Sequence, residues 1–269
     1  MKTFSYSLPV GRSVTEAEKW MIMRSFWKLT WVECKLYFRV PIMAFFTLVL
    51  PLMILFLFGS IFGNKPSPLY NGYGFVDGFV PAFTALIICM SSILSLPITL
   101  ANYRENGILR RFRATPVRPA SVLGAQLVMQ FLMTLTGMLL LVLAGKLVYG
   151  LRFGGNALSV LVAFGLSCLS FFAFGMLLAG VMPSVRVASI LGNILLYPMI
   201  YLSGAAIPME VMPPVMRTIS RFIPLTHVVT LLQGLWKGEA WSKHWMELIV
   251  LSAILVVSSL LAVKIFRWE

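Results

Sequence analysis

Charge is scarce in this chain, and acid scarcer still. Of its 269 residues 12% are charged, with nine Asp or Glu against 22 Lys or Arg. A soluble domain carries about 25% charged residues. A hydrophobic content of 59% and a mean hydropathy of +0.89 exceed what a soluble core can absorb, so lipid is the expected solvent. The three cysteines, Cys34, Cys89 and Cys168, are too few and too scattered for a disulfide framework or a zinc cluster, and are expected as small packing residues. The two histidines, His227 and His244, lie far apart in one loop and give no metal site. No Asp, Glu, Lys or Arg stands at the centre of an apolar run, which removes the usual element of an ion-coupled pump. The only Gly-Lys pair, Gly145-Lys146, lacks the following Ser or Thr and the upstream glycine of a phosphate-binding loop, so ATP is not bound by that route. No nucleophile–base pair is visible, and no catalytic residue is assigned. The first 40 residues lack the short apolar core of a cleavable signal, so the first span is expected to insert as itself.

What the chain does have is apolar runs of membrane-crossing length, about 20 residues each. Six are predicted, near residues 42–62, 78–101, 120–145, 156–182, 187–207 and 245–266, with Pro51, Pro97 and Pro198 inside them. Kinks are expected there, since neighbouring helices can satisfy the carbonyls that proline frees. Six spans put both termini on one side. Fifteen basic residues fall on that side and seven on the other, so both termini are predicted to be cytoplasmic. The same rule accounts for the excess of basic residues without nucleic acid as a partner. The expected fold is an all-α membrane protein with two regions: residues 1–40, carrying an interfacial helix, and the six-span domain 41–269.

Residues 18–39 are too polar to span. At 100° per residue Trp20, Met23, Trp27, Trp31, Cys34 and Phe38 form one stripe, edged by Arg24, Lys28, Lys35 and Arg39. Aromatic residues beside cations suit a helix lying in the membrane interface, with its basic groups reaching lipid phosphates. Gln126 and Gln130, one turn apart in the third span, and Asn193 in the fifth are expected to hydrogen-bond across helices.

The loop at 102–119 carries more than a connector needs. Ile108, Leu109 and Phe112 share a helical face, Arg110, Arg111 and Arg113 point elsewhere, and Pro116 and Pro119 stop the helix. The order Arg104, Glu105, Gly107, Arg111, Pro116 resembles the signature loop of ABC type-2 exporter permeases, R-E-x-G-x-x-x-R-x-x-x-x-P. Leu202-Ser203-Gly204, Pro208, Pro213-Pro214 and Pro224-Leu225-Thr226 are similar to that family's second conserved region, with Ile223 where many members have Asn.

The resemblance covers essentially the whole chain and is nearest to the drug and antibiotic exporters. It implies that Arg104, Glu105, Gly107, Ile108, Leu109, Arg110, Arg111, Arg113 and Pro116 form a coupling helix docking on an ATPase subunit. It also implies re-entrant helices in the external loop 208–244, with Gly204, Pro208, Pro213, Pro214 and Pro224 shaping the outer gate. Two permease copies would pair above two ATPase subunits, which bind the ATP and Mg; this chain itself holds no cofactor. Cargo would pass along the second and fifth spans, past Phe83, Met90, Asn193, Tyr197 and Ile200. An amphipathic or hydrophobic cargo leaving a prokaryotic inner membrane is the expected function. A lipid-linked glycan exporter is the alternative, and an ion-coupled transporter or channel a distant one. Glu105, the lone acid in a basic loop, is expected to pair with a neighbouring base or with Arg24, Lys28 or Lys35.

Overall fold

The computed structural model describes residues 16–39, 44–66, 72–108, 119–207, 209 and 212–265, and every element among them is a helix. Helix α1, Glu16–Arg39, precedes a π-helical turn, Phe45–Val49, that runs into α2, Leu50–Phe62. Helix α3 spans Phe75–Glu105, α4 Pro119–Tyr149, α5 Ala157–Val181 and α6 Val185–Leu202. Two short helices follow, α7 (Pro214–Ser220) and α8 (Pro224–Trp236), then a 3-10 turn, Trp241–His244, and α9, Trp245–Ile265.

Among the described residues five segments, those of α3, α4, α5, α6 and α9, are long and apolar enough to cross a membrane. The stretch predicted as the first span is shorter; its apolar helix runs over Thr47–Phe62. Gly63, at φ +64°, ends it. The fifth predicted span stops at Leu202 rather than residue 207, because Gly204 at φ +86° turns the chain. A left-handed backbone of this kind is favourable only for a residue without a Cβ. The second predicted span is longer than its apolar run. Its start is extended to Phe75 by Asp77, whose carboxylate accepts the Gly74 amide at 2.8 Å in a capping arrangement.

Helix α3 is the axis of the molecule. Of its most apolar window 89% is buried, against 17% for α9, most of whose surface the other described helices leave uncovered. Helices α4, α5, α6 and α8 all pack on α3, and α9 packs on α5. In its middle α3 widens into a π-helical turn, Ser91–Ser95. Two glycines let neighbouring backbones close on that turn. A Cβ on Gly175 of α5 would strike the Ser92 carbonyl, and one on Gly192 of α6 would lie 3.0 Å from the Ile93 carbonyl. Small residues at such points are how helices approach in lipid, where packing rather than water expulsion drives association. Side chains add to it: Ser92 Oγ donates to the Phe171 carbonyl at 2.6 Å, and Gln130 Nε2 to the Ser91 carbonyl at 3.0 Å. Gln130 thus bonds across helices as expected, whereas Asn193 donates to the Ser189 carbonyl of its own helix.

The start of α3 is tied as firmly. Asp77 is fully buried, and besides Gly74 its carboxylate accepts from Asn64 Nδ2 at 2.9 Å and the Arg152 amide at 2.8 Å. Composition drew no attention to this residue. A carboxylate held by several hydrogen bonds becomes recognisable only when loops distant in sequence converge on it.

Candidate functional site at the Tyr103–Ile108 turn

Three consecutive residues at the far end of α3 each hold a different helix. Tyr103 is buried and donates its hydroxyl to Glu33 Oε2 of α1 at 2.6 Å. Arg104 reaches the opposite way. Its Nη1 donates to the Met182 carbonyl at 3.1 Å and its Nη2 to the Ala179 carbonyl at 2.6 Å, satisfying acceptors at the C-terminal end of α5. Glu105 Oε1 accepts the Val185 amide, the first of α6, at 2.9 Å. The pair follows the helix dipole: a cation at a carboxyl end and an anion at an amino end are each stabilising. The two side chains thereby clamp the Met182-Pro183-Ser184 turn between α5 and α6. Ser184 completes the α6 cap by accepting the Val187 amide at 3.2 Å.

Gly107 then ends α3. It stands at φ +63°, and its amide donates to the Arg104 carbonyl at 3.0 Å. A glycine just past the last turn is the ordinary helix stop. Ile108 packs half-buried against the cluster of Leu96, Leu100, Tyr103 and Ala179. The Arg-Glu-x-Gly order therefore has a local physical meaning: one residue to cap α5, one to cap α6, one to turn the chain. Leu109, Arg110, Arg111, Arg113 and Pro116 lie outside the described residues.

Glu105 is expected to pair with a base of its loop or with Arg24, Lys28 or Lys35; among the described residues it accepts the Val185 amide, and Arg110, Arg111 and Arg113 lie outside them. Lys35 instead places its Nζ over the Trp31 ring at 5.6 Å, and the Arg24 side chain lies outside the described residues. The acid that does join α1 to α3 is Glu33, which charge counting passed over because its burial depends on helices distant in sequence. Helix α1 has an exposed aromatic face and a buried polar one. Trp27, Trp31 and Phe38 are exposed, while Thr30, Glu33 and Tyr37 face inward, and Tyr37 donates to Thr47 Oγ1 at 2.6 Å.

Burial pushes the Glu33 carboxyl above the usual carboxylate range, with the Tyr103 hydrogen bond opposing the shift. An acid of raised folded pKa retains its proton longer in the folded chain than in the unfolded one. Its contribution is therefore most favourable below the ordinary carboxylate range and is lost as pH rises through the raised value. Glu33→Gln keeps a partner for Tyr103 and is expected to flatten the pH dependence of the melting temperature above the ordinary carboxylate range. Glu33→Ala leaves the Tyr103 hydroxyl unpaired and is expected to cost about 1–3 kcal/mol. Thermal melts of the two variants in lipid nanodiscs check both; equal melts at every pH would refute the buried bond.

Of the five pathway candidates, Phe83 belongs to the main core cluster, and Met90 and Ile200 pack against it. Phe83 is buried and stacks on Phe79 at 3.8 Å, Met90 and Ile200 pack at the edge of the core, Asn193 is half-buried, and Tyr197 is exposed. Among the gate residues Gly204 makes its left-handed turn, Pro213 and Pro214 open α7, and Pro224 opens α8; Pro208 lies outside the described residues. Among the described residues no three His, Cys, Asp or Glu side chains gather as metal ligands.

The family model described as ABC-2 type transporter matches residues 24–235, most of the chain and the whole of the α3 clamp. The chain belongs to the ABC-2 type transporter family. Among its relatives this ABC-2 protein is 25% identical over 241 residues to the putative transport permease YvfS of Bacillus subtilis, covering 87% of this chain and 94% of that one. It is 25% identical over 248 residues to the daunorubicin resistance permease DrrB1 of Streptomyces coeruleorubidus, covering 88% and 84%. With the inner membrane transport permease YhhJ of Escherichia coli it shares 27% identity over 169 residues, 62% of this chain and 45% of that protein. Membership makes this a membrane-embedded permease and implies an ABC ATPase as its partner.

Proposed function

We propose that this chain is the permease subunit of an exporter that moves an amphipathic or hydrophobic compound out of the cytoplasm or inner leaflet. A separate subunit hydrolyses the ATP and supplies the Mg site. Two permease copies pair above two ATPase copies in a prokaryotic inner membrane. Six spans, counting the short α2, keep both termini cytoplasmic. The clamp at the end of α3 carries the reading. Tyr103, Arg104 and Glu105 tie α1, α5 and α6 to one turn. A force applied to the loop that follows, through Arg110, Arg111, Arg113 and Pro116, is thereby passed to three helices at once. The exposed Trp27 and Trp31 of α1 anchor the lever in the lipid interface. A drug-like cargo is supported by the daunorubicin resistance permease among its relatives.

Purification of the tagged chain in mild detergent, with mass spectrometry and an ATPase assay, tests the assignment. A stoichiometric partner bearing a phosphate-binding loop, with vanadate-sensitive hydrolysis, is expected. A chain that purifies alone, even after cross-linking in native membranes, would remove the coupling role from the 102–119 loop.

A further inference from the structure

Two helices carry five shielded polar atoms that have no hydrogen-bond partner among the described residues: Ser91 Oγ and Ser95 Oγ on α3, and Gln126 Nε2, Gln126 Oε1 and Gln130 Oε1 on α4. Both serines belong to the π-helical turn at the middle of α3. The two glutamines stand one turn apart on one face of α4. Gln126 is expected to bond across helices as Gln130 does, yet neither end of its amide is engaged. Ser91 and Gln126 are each 1% exposed and Gln130 0%, so bulk water does not reach them.

These atoms share one seam. A Cβ on Gly145 of α4 would lie 3.4 Å from Val80 Cγ2 of α3, and one on Gly137 3.1 Å from Ile87 Cδ1. Gln130 Nε2 reaches the Ser91 carbonyl at 3.0 Å. The two helices therefore run antiparallel, and the next turn along brings Gln126 level with Ser95. Leu127 packs there against the cluster of Leu96 and Leu100, which keeps the two helices together below the glutamines.

Buried polar groups are nearly always paired, with protein or with ordered water. Inside a bundle surrounded by lipid no bulk solvent stands in for a missing partner. The unpaired set also selects its ligand. It contains donors, the Gln126 amide nitrogen and two hydroxyls, as well as acceptors, the two glutamine oxygens. A cation would satisfy the oxygens and leave the amide nitrogen bare, and none of the four side chains is an acid to balance its charge. Water gives and accepts in equal number. At about three hydrogen bonds per buried water, the set calls for about two molecules.

We infer that the seam between α3 and α4 is an internal hydration site, with water held by Gln126, Gln130, Ser91 and Ser95 beside the π-helical turn. It places water at the middle of the helix that carries the clamp. Its occupancy requires neither ATP nor the ATPase subunit.

The test has two arms, both on the full chain in lipid nanodiscs. A cryo-electron microscopy map at a resolution that shows ordered water is expected to hold solvent density within hydrogen-bond distance of Gln126 and of Gln130 or the serines. A map in which these side chains bond only one another would overturn the site. The second arm is the melting temperature of Gln126→Met, which keeps the length of the side chain and removes its polar atoms. In a hydrated seam the change strips water of its partners and leaves Gln130 and the serines bare, so the melt is expected to fall by about 2–4 °C, the shift for one lost buried hydrogen bond. In a dry seam it removes two unpaired groups, so an unchanged or higher melt would overturn the proposal. Both arms leave the co-purification with the ATPase untouched, so the two readings fall separately.

Discussion

Gly175→Leu is expected to yield no folded permease. The position lies on α5 where the backbone of α3 comes closest, and even a methyl group there would strike the Ser92 carbonyl. A flexible neighbour could move aside, but a carbonyl inside a buried π-helical turn cannot do so without shifting α3. That helix is held at the same level by the Ser92 and Gln130 hydrogen bonds and by Gly192 of α6. Overpacking of one methyl costs about 1–3 kcal/mol, so Gly175→Ala should lower the melting temperature and Gly175→Leu should prevent assembly. The same helix supplies its own control. A Cβ on Gly165 would meet nothing within 4 Å. Gly165→Ala should therefore be neutral or stabilise by about 0.5–1 kcal/mol, the helix-propensity gain. Size-exclusion profiles and thermal melts of the three variants decide the matter. A monodisperse Gly175→Leu protein with an unchanged melt would mean that α5 and α3 do not meet as described.

The second large effect is expected at the clamp, in coupling rather than in folding. Arg104→Ala frees the carbonyls of Ala179 and Met182, and Glu105→Ala frees the Val185 amide. Hydrogen bonds to a charged group are worth about 1.5–3 kcal/mol, and loss of a cap about 0.5–2 kcal/mol. Both proteins should still insert and purify, since the apolar packing of α3 on its neighbours is intact. Stimulation of the partner ATPase by cargo, and transport itself, should fall about tenfold, the scale of a coupling energy between sites. Arg104→Lys should not rescue, because a single ammonium does not reproduce the planar fork that reaches two carbonyls. Transport and ATPase assays in proteoliposomes measure this. Wild-type coupling in both alanine variants would leave the clamp as a structural cap and take the lever away.

These two sites differ in how far each was legible beforehand. The Arg104, Glu105, Gly107 order stood out in the sequence as a motif, and its place at the end of a span followed from the apolar runs around it. What Glu105 contacts did not follow. The Val185 amide that it accepts comes from 80 residues away in the chain. At Gly175 nothing in the sequence marked one glycine of α5 over another. Gly165 and Gly175 read alike until α3 is laid against one of them.

By itself the sequence determined that lipid is the solvent, where most of the crossing helices lie, that α1 carries an aromatic and basic stripe, and which loop holds the family motif. These properties are local. Twenty apolar residues need a bilayer wherever they stand, and a helical stripe depends on neighbours three and four positions away. The tertiary structure alone decided that α3 is the buried axis, that it widens at Ser91–Ser95 between two glycines, and that Asp77 and Glu33 are interior acids. It also decided that the turn after Tyr103 clamps α5 to α6. Each of these depends on which backbone donors, acceptors and small residues meet across tens of residues of chain. In lipid, where apolar contact alone does not choose a partner, such meetings select the packing.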